Sequence, residues 1–465
     1  MESFIMQEYI DRLKEYFERQ KVRTGRRPGY HIFTMGCQMN ARDSEKISGV
    51  LEKAGFTEMP DENADFILFN TCTVRENANE KLYGHLGQVK GIVREHPGTV
   101  VAICGCMMQE KEEAEKIRRS YPFVSLVFGT HNLWKFPELF YRALTERKRI
   151  FEIPDSSAIL SDSLPSRRKY FFKSGVNIMY GCNNFCSYCI VPYVRGREIS
   201  REPGDILSEV RQLSEEGVKE VMLLGQNVNS YGKTLEHPVA FSELLGRVSE
   251  TEKLERIRFM TSHPKDLSDD LIRVMAKDEK ICRHLHLPLQ SGSTEILRRM
   301  NRHYTAEDYL RLTDRIKNAM PDIGLTTDII VGFPGETEED FEGTLSVVRE
   351  VGFQSAFTFI YSKRSGTPAA VMPDQVSPEV ISDRFQRLLD LVQELAAENT
   401  EKNLGKTLSV LVEEEDRDLE GFLTGRLGNN LMVHFRGGKD LIGSIVNVKL
   451  EESRGFYYMG TQVQH

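Results

Sequence analysis

No apolar run in the 465-residue chain approaches the roughly 18 residues of a membrane-crossing helix, which argues against a spanning segment. The first 27 residues carry charges throughout and lack the apolar stretch of a secretory signal, so a cytoplasmic protein is expected. A basic surplus is missing as well: 61 Lys+Arg stand against 69 Asp+Glu, a formal net charge of -8. Bulk charge therefore offers nucleic acid no attraction, and any RNA contact needs a local basic patch. Repeats of solenoid period and low-complexity tracts are also lacking. What is present is the composition of a folded chain, 40% hydrophobic and 28% charged, long enough for roughly three domains. Its eight cysteines, in a reducing compartment, have to be read for metal or redox chemistry before disulfides.

The hydrophobic pattern divides the chain. Residues 1–28 read as an amphipathic helix with Tyr9, Leu13, Tyr16 and Phe17 on one side, packed on the next domain. Over 29–155, apolar strands at about 30–35, 65–70, 99–104 and 123–128 alternate with helical stretches from near Ala41, Arg75, Gln109 and Lys135. That alternation predicts an open parallel α/β sheet. Residues 156–169, rich in Ser, Pro and Arg, read as a linker. In 170–397 the strands Val176–Tyr180, Val218–Gly225, Arg256–Ser262, His284–Leu289, Gly324–Gly332 and Ser355–Ser362 are each followed by a helical segment. Six β/α units make a partial barrel, since a closed one needs eight. After a helix at about 377–403, short strands parted by Gly, Asn and charged turns over 398–465 predict a small antiparallel, OB-like β-barrel.

Cys182, Cys186 and Cys189 follow the first strand of the second series at the spacing C-x3-C-x2-C. Three thiolates on one loop ligate three irons of a 4Fe–4S cube and leave the fourth open to a small molecule. Zinc is the alternative, closed by a distant His or Cys, although no His follows within the usual few residues. Polar residues fall at the same edge of the strands: Gln226 and Asn227 after strand two, Ser262 at the end of strand three, Gln290 after strand four. Asp328 lies within strand five. The C-terminal edge of barrel strands is where such folds place active sites. This spacing on a β/α barrel resembles the radical S-adenosylmethionine superfamily, which implies that the open iron is chelated by S-adenosylmethionine and that Tyr188 lies by its adenine.

Cys37, Cys72 and Cys106 are far apart in sequence, yet each sits one to three residues past a predicted parallel strand. Those loops share one edge of an open parallel sheet, so three thiolates can converge on a second cluster. Cys104, inside an apolar strand, reads as core, and Cys282, without a cysteine nearby, as structural.

Together with the cysteine loop, the segments Gly36-Cys37-Gln38-Met39-Asn40, Asn70-Thr71-Cys72-Thr73-Val74-Arg75-Glu76, Gly105-Cys106-Met107-Met108-Gln109-Glu110 and Leu224-Gly225-Gln226-Asn227-Val228-Asn229 carry a specific resemblance. They resemble the methylthiotransferase family of radical S-adenosylmethionine enzymes, most closely its branch that acts on isopentenyladenosine in tRNA. The match runs from about Tyr30 to Val463, and the last barrel resembles the TRAM module. The resemblance implies replacement of the adenine C2 hydrogen by a methylthio group, with two 4Fe–4S clusters and two S-adenosylmethionine molecules. One of these would be cleaved reductively at the Cys182 loop; the other would methylate sulfur held at Cys37, Cys72 and Cys106. It further implies a tRNA anticodon stem-loop as partner, a reductant such as flavodoxin or ferredoxin, and a monomer. Substrate contacts are expected from Asn40, Arg75, Arg167, Arg168, Lys169, Arg195 and Arg197, with Lys173 and Arg201 in the same basic neighbourhood and Glu198 as its opposing acid. The acidic run Glu413-Glu414-Glu415-Asp416 has the wrong sign for an RNA clamp and favours an alternative, methylthiolation of a basic ribosomal protein; methylthiolation of threonylcarbamoyl-adenosine in tRNA is a further one. A non-catalytic iron–sulfur RNA-binding or electron-transfer protein is the alternative of another class, but it leaves the polar strand-end set unexplained.

Overall fold

The computed structural model describes every residue except Met1, Glu62, Arg75, Arg147, 157–163, Gln464 and His465, and omits the side chains of residues 2, 3 and 76–78. The chain forms two compact units, Met1–Lys169 with Ile190–Arg197, and Tyr170–Cys189 with Glu198–His465.

In the first unit, α1 (Glu2–Thr24) precedes β1 (Gly29–Thr34), α2 (Gln38–Lys53), β2 (Thr57–Glu58), β3 (Phe66–Thr71), α3 (Glu76–Glu95), β4 (Val100–Gly105), α4 (Lys111–Ser120), β5 (Val124–Phe128), α5 (Phe136–Thr145) and β6 (Ile150–Glu152). The strands make one parallel sheet in the order β2-β1-β3-β4-β5-β6. All six residues of β3 are buried, because helices cover both faces of a central parallel strand. The edge strands β2 and β6, two and three residues long, were too short to leave a pattern in the sequence. The stripe that α1 buries is Met6, Ile10, Leu13 and Phe17, with Tyr9 and Tyr16 at its border. This i, i+4, i+7, i+11 spacing follows 3.6 residues per turn; it includes the expected Leu13 and Phe17 and adds Met6 and Ile10. Burial of each such side chain contributes about 1.5–3 kcal/mol before conformational entropy. The end of the expected linker lies on α2: Leu164 is buried, the Arg167 N–H donates to the Glu45 carbonyl, and a Cβ on Gly49 would meet the Pro165 oxygen at 2.4 Å.

The short α6 (Val191–Val194) packs within the first unit through Ile190 and Val194, which meet Cys106.

In the second unit β7 (Lys173–Asn177), β10 (Glu220–Leu224) and β11 (Arg256–Phe259) form one parallel sheet; β12 (His284–His286), β13 (Gly324–Val331) and β14 (Ser355–Ile360) form another. A parallel bridge between Ile257 and Ile281 joins the two into six strands of a partial barrel. The small hairpin β8 (Met179–Tyr180) and β9 (Ile199–Ser200) stands beside them. The first barrel strand begins at Lys173, three residues before the expected start, because its polar beginning still pairs with Glu220 of β10. Around it run α7 (Pro203–Glu215), α8 (Phe241–Ser249), α9 (Asp269–Lys277), α10 (Thr294–Arg299), α11 (Ala306–Ala319) and α12 (Glu338–Val351). Side-chain caps fix where several begin: Ser268, Ser293, Thr305 and Thr337 each accept a first-turn N–H. A long α13 (Pro378–Glu401) leads into a closed five-stranded barrel, β15 (Thr407–Glu415), β16 (Phe422–Leu427), β17 (Met432–Arg436), β18 (Ile445–Ser453) and β19 (Tyr457–Gln462). It is antiparallel except where β17 and β19 pair in parallel to close the ring. Two arginines of β11 bolt this barrel down: Arg256 donates to the carbonyls of Ser409 and Arg426, and Arg258 to those of Leu427 and Gly428.

Candidate active site and metal centres

In the first unit Cys37, Cys72 and Cys106 follow β1, β3 and β4, three neighbouring strands of the sheet, at their shared C-terminal edge. The register pairs Thr34 with Asn70 and Thr71 with Gly105, which brings Cys72 and Cys106 level. Glycine is required beside them. Gly36 has φ +105, and a Cβ there would stand 2.5 Å from Cys72 Cβ and 2.8 Å from its Sγ. Asn40, fully buried at the start of α2, ties the loops together: its Nδ2 donates to the carbonyls of Met35 and Thr71, each at 2.8 Å. Arg195, also buried, donates from Nε to Cys106 Sγ at 3.1 Å and from Nη2 to Asn40 Oδ1 at 2.6 Å, with Asp43 at 3.7 Å. Burial pushes the Cys106 thiol up to about 11 against the pull of Arg195. Burial opposes the charge of Arg195, but Cys106, Cys37 and Asp43 outweigh it and hold the guanidinium above its ordinary value.

In the second unit the Cys182–Cys189 loop follows β7 and β8 and is held from several sides. The Ser187 N–H donates to the Met300 carbonyl and its hydroxyl to that of Arg299; Asn301 Nδ2 donates to the carbonyls of Asn184 and Phe185. Buried Arg302 reaches Cys186 Sγ at 3.5 Å and the Pro288 carbonyl at 2.8 Å. Burial pushes the Cys182 thiol up to about 11.

The barrel's C-terminal edge holds buried polar atoms without a protein partner: Asn177 Oδ1, Asn227 Oδ1, Asn229 Oδ1, Ser262 Oγ, His263 Nε2, Gln290 Oε1 and Tyr361 OH. Leaving such atoms unpaired costs about 1–3 kcal/mol each, so the edge is built for a polar ligand. Backbone strain falls there too: Phe185, Thr261 and Gln290 have φ of 46°, 66° and 70°, in the left-handed region that non-glycine residues rarely occupy.

Both sets fit a 4Fe–4S cluster by donor chemistry, each with three cysteines at one edge and one buried arginine on a sulfur. Among the described residues no three His, Cys, Asp or Glu side chains enclose a point where a single ion would sit. A four-iron cube is wider, and its thiolates bind different irons.

The expected ligand residues divide. Asn227, Ser262 and Gln290 are buried at the strand ends, Gln226 lies partly buried two residues past β10, and Asp328 faces His286 Nε2 at 3.4 Å from inside β13. Tyr188 is half-buried against Ile296, Met300, Phe333 and Ala369. Sequence reading missed Arg302, Asn177, Asn229, His263 and Tyr361. Of these, Asn229 stands in the same Gln226–Asn229 segment already singled out, and His263 directly follows Ser262.

The expected basic residues divide between the two units. Arg167, Arg168, Lys169, Arg195 and Arg197 belong to the first unit, Lys173 and Arg201 to the second. Arg167 is engaged by Glu52 at 2.8 Å and by Glu58 and Tyr30, so it braces the sheet edge. Arg195 and Asn40 spend their polar atoms on the cysteine loops and not on a surface. Lys173 pairs with Glu413 at 2.6 Å, and Arg201 with Glu209 at 2.8 Å. Glu198 is buried and accepts from Ser230 Oγ at 2.8 Å. Arg168 is half-buried, Lys169 and Arg197 are exposed, and Arg75 lies outside the described residues. Cys104 is fully buried in the sheet core, as read; Cys282 is buried too. Part of the acidic run is engaged within the fold, since Glu413 also meets Arg426 at 3.4 Å, Glu415 meets Lys439 at 2.9 Å, and Asp416 is hydrogen-bonded to His434.

Three family models match the chain: the Radical SAM superfamily over residues 176–348, the Uncharacterized protein family UPF0004 over 29–129 and the TRAM domain over 401–463. The solved radical S-adenosylmethionine methyltransferase TsrM from Kitasatospora setae has a similar fold, with a TM-score of 0.53 at 14% identity over 74% of each chain. Fold and cysteine loop thus define a radical S-adenosylmethionine protein. The tRNA-2-methylthio-N(6)-dimethylallyladenosine synthase of Lachnoclostridium phytofermentans is 59% identical over 95% of this chain and 96% of its own. That of Acetivibrio thermocellus is 51% identical over 98% and 96%. The chain belongs to the tRNA-2-methylthio-N(6)-dimethylallyladenosine synthase family.

Proposed function

We propose that this chain is an enzyme that transfers a methylthio group to C2 of N6-dimethylallyladenosine in tRNA, next to the anticodon. The observation that carries the reading is near-full-length identity of 59% to a synthase of that name, and a set of three cysteines in each unit is consistent with it. An aryl C–H bond has no acidic proton and no leaving group, so side-chain acid–base catalysis does not suffice. A 4Fe–4S cluster with S-adenosylmethionine supplies one-electron chemistry of the required kind.

In our reading Cys182, Cys186 and Cys189 hold that cluster, and the strand-end set receives the polar groups of S-adenosylmethionine. Asn227, Ser262 and Gln290 offer it hydrogen-bonding atoms that the protein itself leaves unpaired. Arg302 holds Cys186 through a contact to its sulfur at 3.5 Å. Cys37, Cys72 and Cys106 hold a second cluster and present the sulfur, two S-adenosylmethionine molecules being used per transfer. The target adenosine has to leave its stack to reach either set. We take the electron donor to be a small redox protein such as flavodoxin or ferredoxin, the protein to act as a monomer, and its place to be the cytoplasm. No helix among the described residues is long and apolar enough to cross a membrane.

The ribosomal-protein alternative drew on the acidic run of the last barrel, and those carboxylates are engaged by Lys173, Arg426, Lys439 and His434. Competition between prenylated and plain anticodon stem-loops tests the substrate. Burying about five carbons at about 0.8 kcal/mol per CH2 gives at most a few kcal/mol of preference for the prenylated loop. Equal binding of both, with binding of a ribosomal protein instead, would overturn the reading.

A further inference from the structure

Arg195 lies six residues after Cys189, yet it packs in the first unit, where it joins all three cysteine loops of that unit. Its Nε–H points at Cys106 Sγ at 3.1 Å, on the loop after β4. Its Nη2 donates to Asn40 Oδ1 at 2.6 Å. The Nδ2 of that same amide holds the Met35 carbonyl, two residues before Cys37, and the Thr71 carbonyl, directly before Cys72. One guanidinium and one amide therefore connect the loops after β1, β3 and β4. Asp43 at 3.7 Å and the buried setting keep the guanidinium from swinging out. Val194 is fixed beside it, since Thr130 Oγ1 donates to the Val194 carbonyl at 2.9 Å, and a Cβ on Gly196 would meet His131 at 3.2 Å.

A buried cation with an N–H on a cysteine sulfur has a direct consequence once that sulfur binds iron. Hydrogen bonds to the sulfurs and net local charge are among the determinants of iron–sulfur reduction potentials. Adding an electron makes the cluster more negative, which a fixed guanidinium stabilises; removing the cation therefore lowers the potential.

We propose that Arg195 is a positioning residue for the cluster of the first unit: through Cys106 and Asn40 it holds the three thiolates in one arrangement and raises that cluster's reduction potential. The assignment rests on the reading that Cys37, Cys72 and Cys106 bind a cluster. A merely structural arginine would leave the potential of the loaded protein unchanged.

The test uses the full chain with Cys182, Cys186 and Cys189 replaced by Ala, so that only the first unit's cluster reports. The protein is reconstituted anaerobically with iron and sulfide, and the cluster's midpoint potential is read by electron paramagnetic resonance in a redox titration. R195L is expected to lower the ratio of reduced to oxidised cluster at least tenfold at a fixed potential, a shift of about 59 mV for a one-electron couple. R195Q, which keeps a donor but no charge, is expected to shift in the same direction by less. If R195L takes up no iron, R195Q decides: a lowered potential supports the assignment and a parent-like one overturns it. Parent-like potentials in both loaded variants overturn the role of Arg195 alone. No iron in the parent chain would remove the cluster reading, and the assignment with it.

Discussion

Replacing Gly36 by Ala puts one methyl group where the first cysteine set can least accept it. At φ +105 the backbone lies where an L-residue is strained, at roughly 1–2 kcal/mol. The new Cβ would also meet Cys72 Cβ at 2.5 Å, its Sγ at 2.8 Å and Asn40 Nδ2 at 3.1 Å. Overpacking of this kind costs about 1–3 kcal/mol. Together, about 2–5 kcal/mol weighs against the arrangement that presents Cys72, a loss of roughly 30-fold to several thousand-fold in its population. Gly55 provides the control, because at φ +97 it shares the backbone strain but has nothing within 4 Å of its added Cβ. After anaerobic reconstitution, G36A should hold about four irons where the parent holds about eight, while G55A stays near the parent. Methylthiolation by G36A should disappear, and cleavage of S-adenosylmethionine to 5'-deoxyadenosine should persist on chromatography. A G36A protein with parent-like iron and parent-like methylthiolation would refute the role given to this edge.

Replacing Cys182, Cys186 and Cys189 together should leave about four irons per chain and abolish 5'-deoxyadenosine formation; loss of all iron would contradict two separate sites. Arg258 and Glu220 form a buried ion pair at 2.9 Å, so R258M, which strands the carboxylate, should destabilise the second unit by about 3–5 kcal/mol in chemical denaturation. A cost under about 1 kcal/mol would show that the pair does not hold β10 to β11. R167Q should leave the salt dependence of tRNA binding unchanged, because Arg167 is committed to Glu52 and Glu58; a slope flattened by roughly 0.7–0.9 log units would reassign it to a phosphate.

The sequence made the strand-and-loop framework legible because each parallel strand leaves an apolar run long enough to see. The four central strands of the first sheet and all six of the partial barrel fall within a few residues of their expected places. Both cysteine sets could be read too, one from spacing and the other from position past the strands. The fate of the basic residues could not. Charge along a chain does not say which carboxylate or carbonyl a side chain meets after folding. Arg167 looked available to a phosphate until Glu58, 109 positions away, was seen to engage it. Arg195 stood in the same run, but its partners Asn40 and Cys106 are brought to it by the sheet edge. The acidic run at the end of β15 misled for the same reason, its partners coming from β7, β16, β17 and the turn at Lys439. His263 and Tyr361 carry unpaired buried atoms that only the folded barrel shows.

Mass spectrometry of nucleosides from a defined reaction tests the central claim most directly. Purified protein, reconstituted anaerobically, is incubated with a reductant, S-adenosylmethionine and an anticodon stem-loop carrying N6-dimethylallyladenosine, and the loop is then digested. The account predicts 2-methylthio-N6-dimethylallyladenosine, accompanied by 5'-deoxyadenosine, and neither product from the C182A/C186A/C189A chain. Cleavage of S-adenosylmethionine by the fully loaded protein with the prenylated nucleoside recovered unchanged would contradict it.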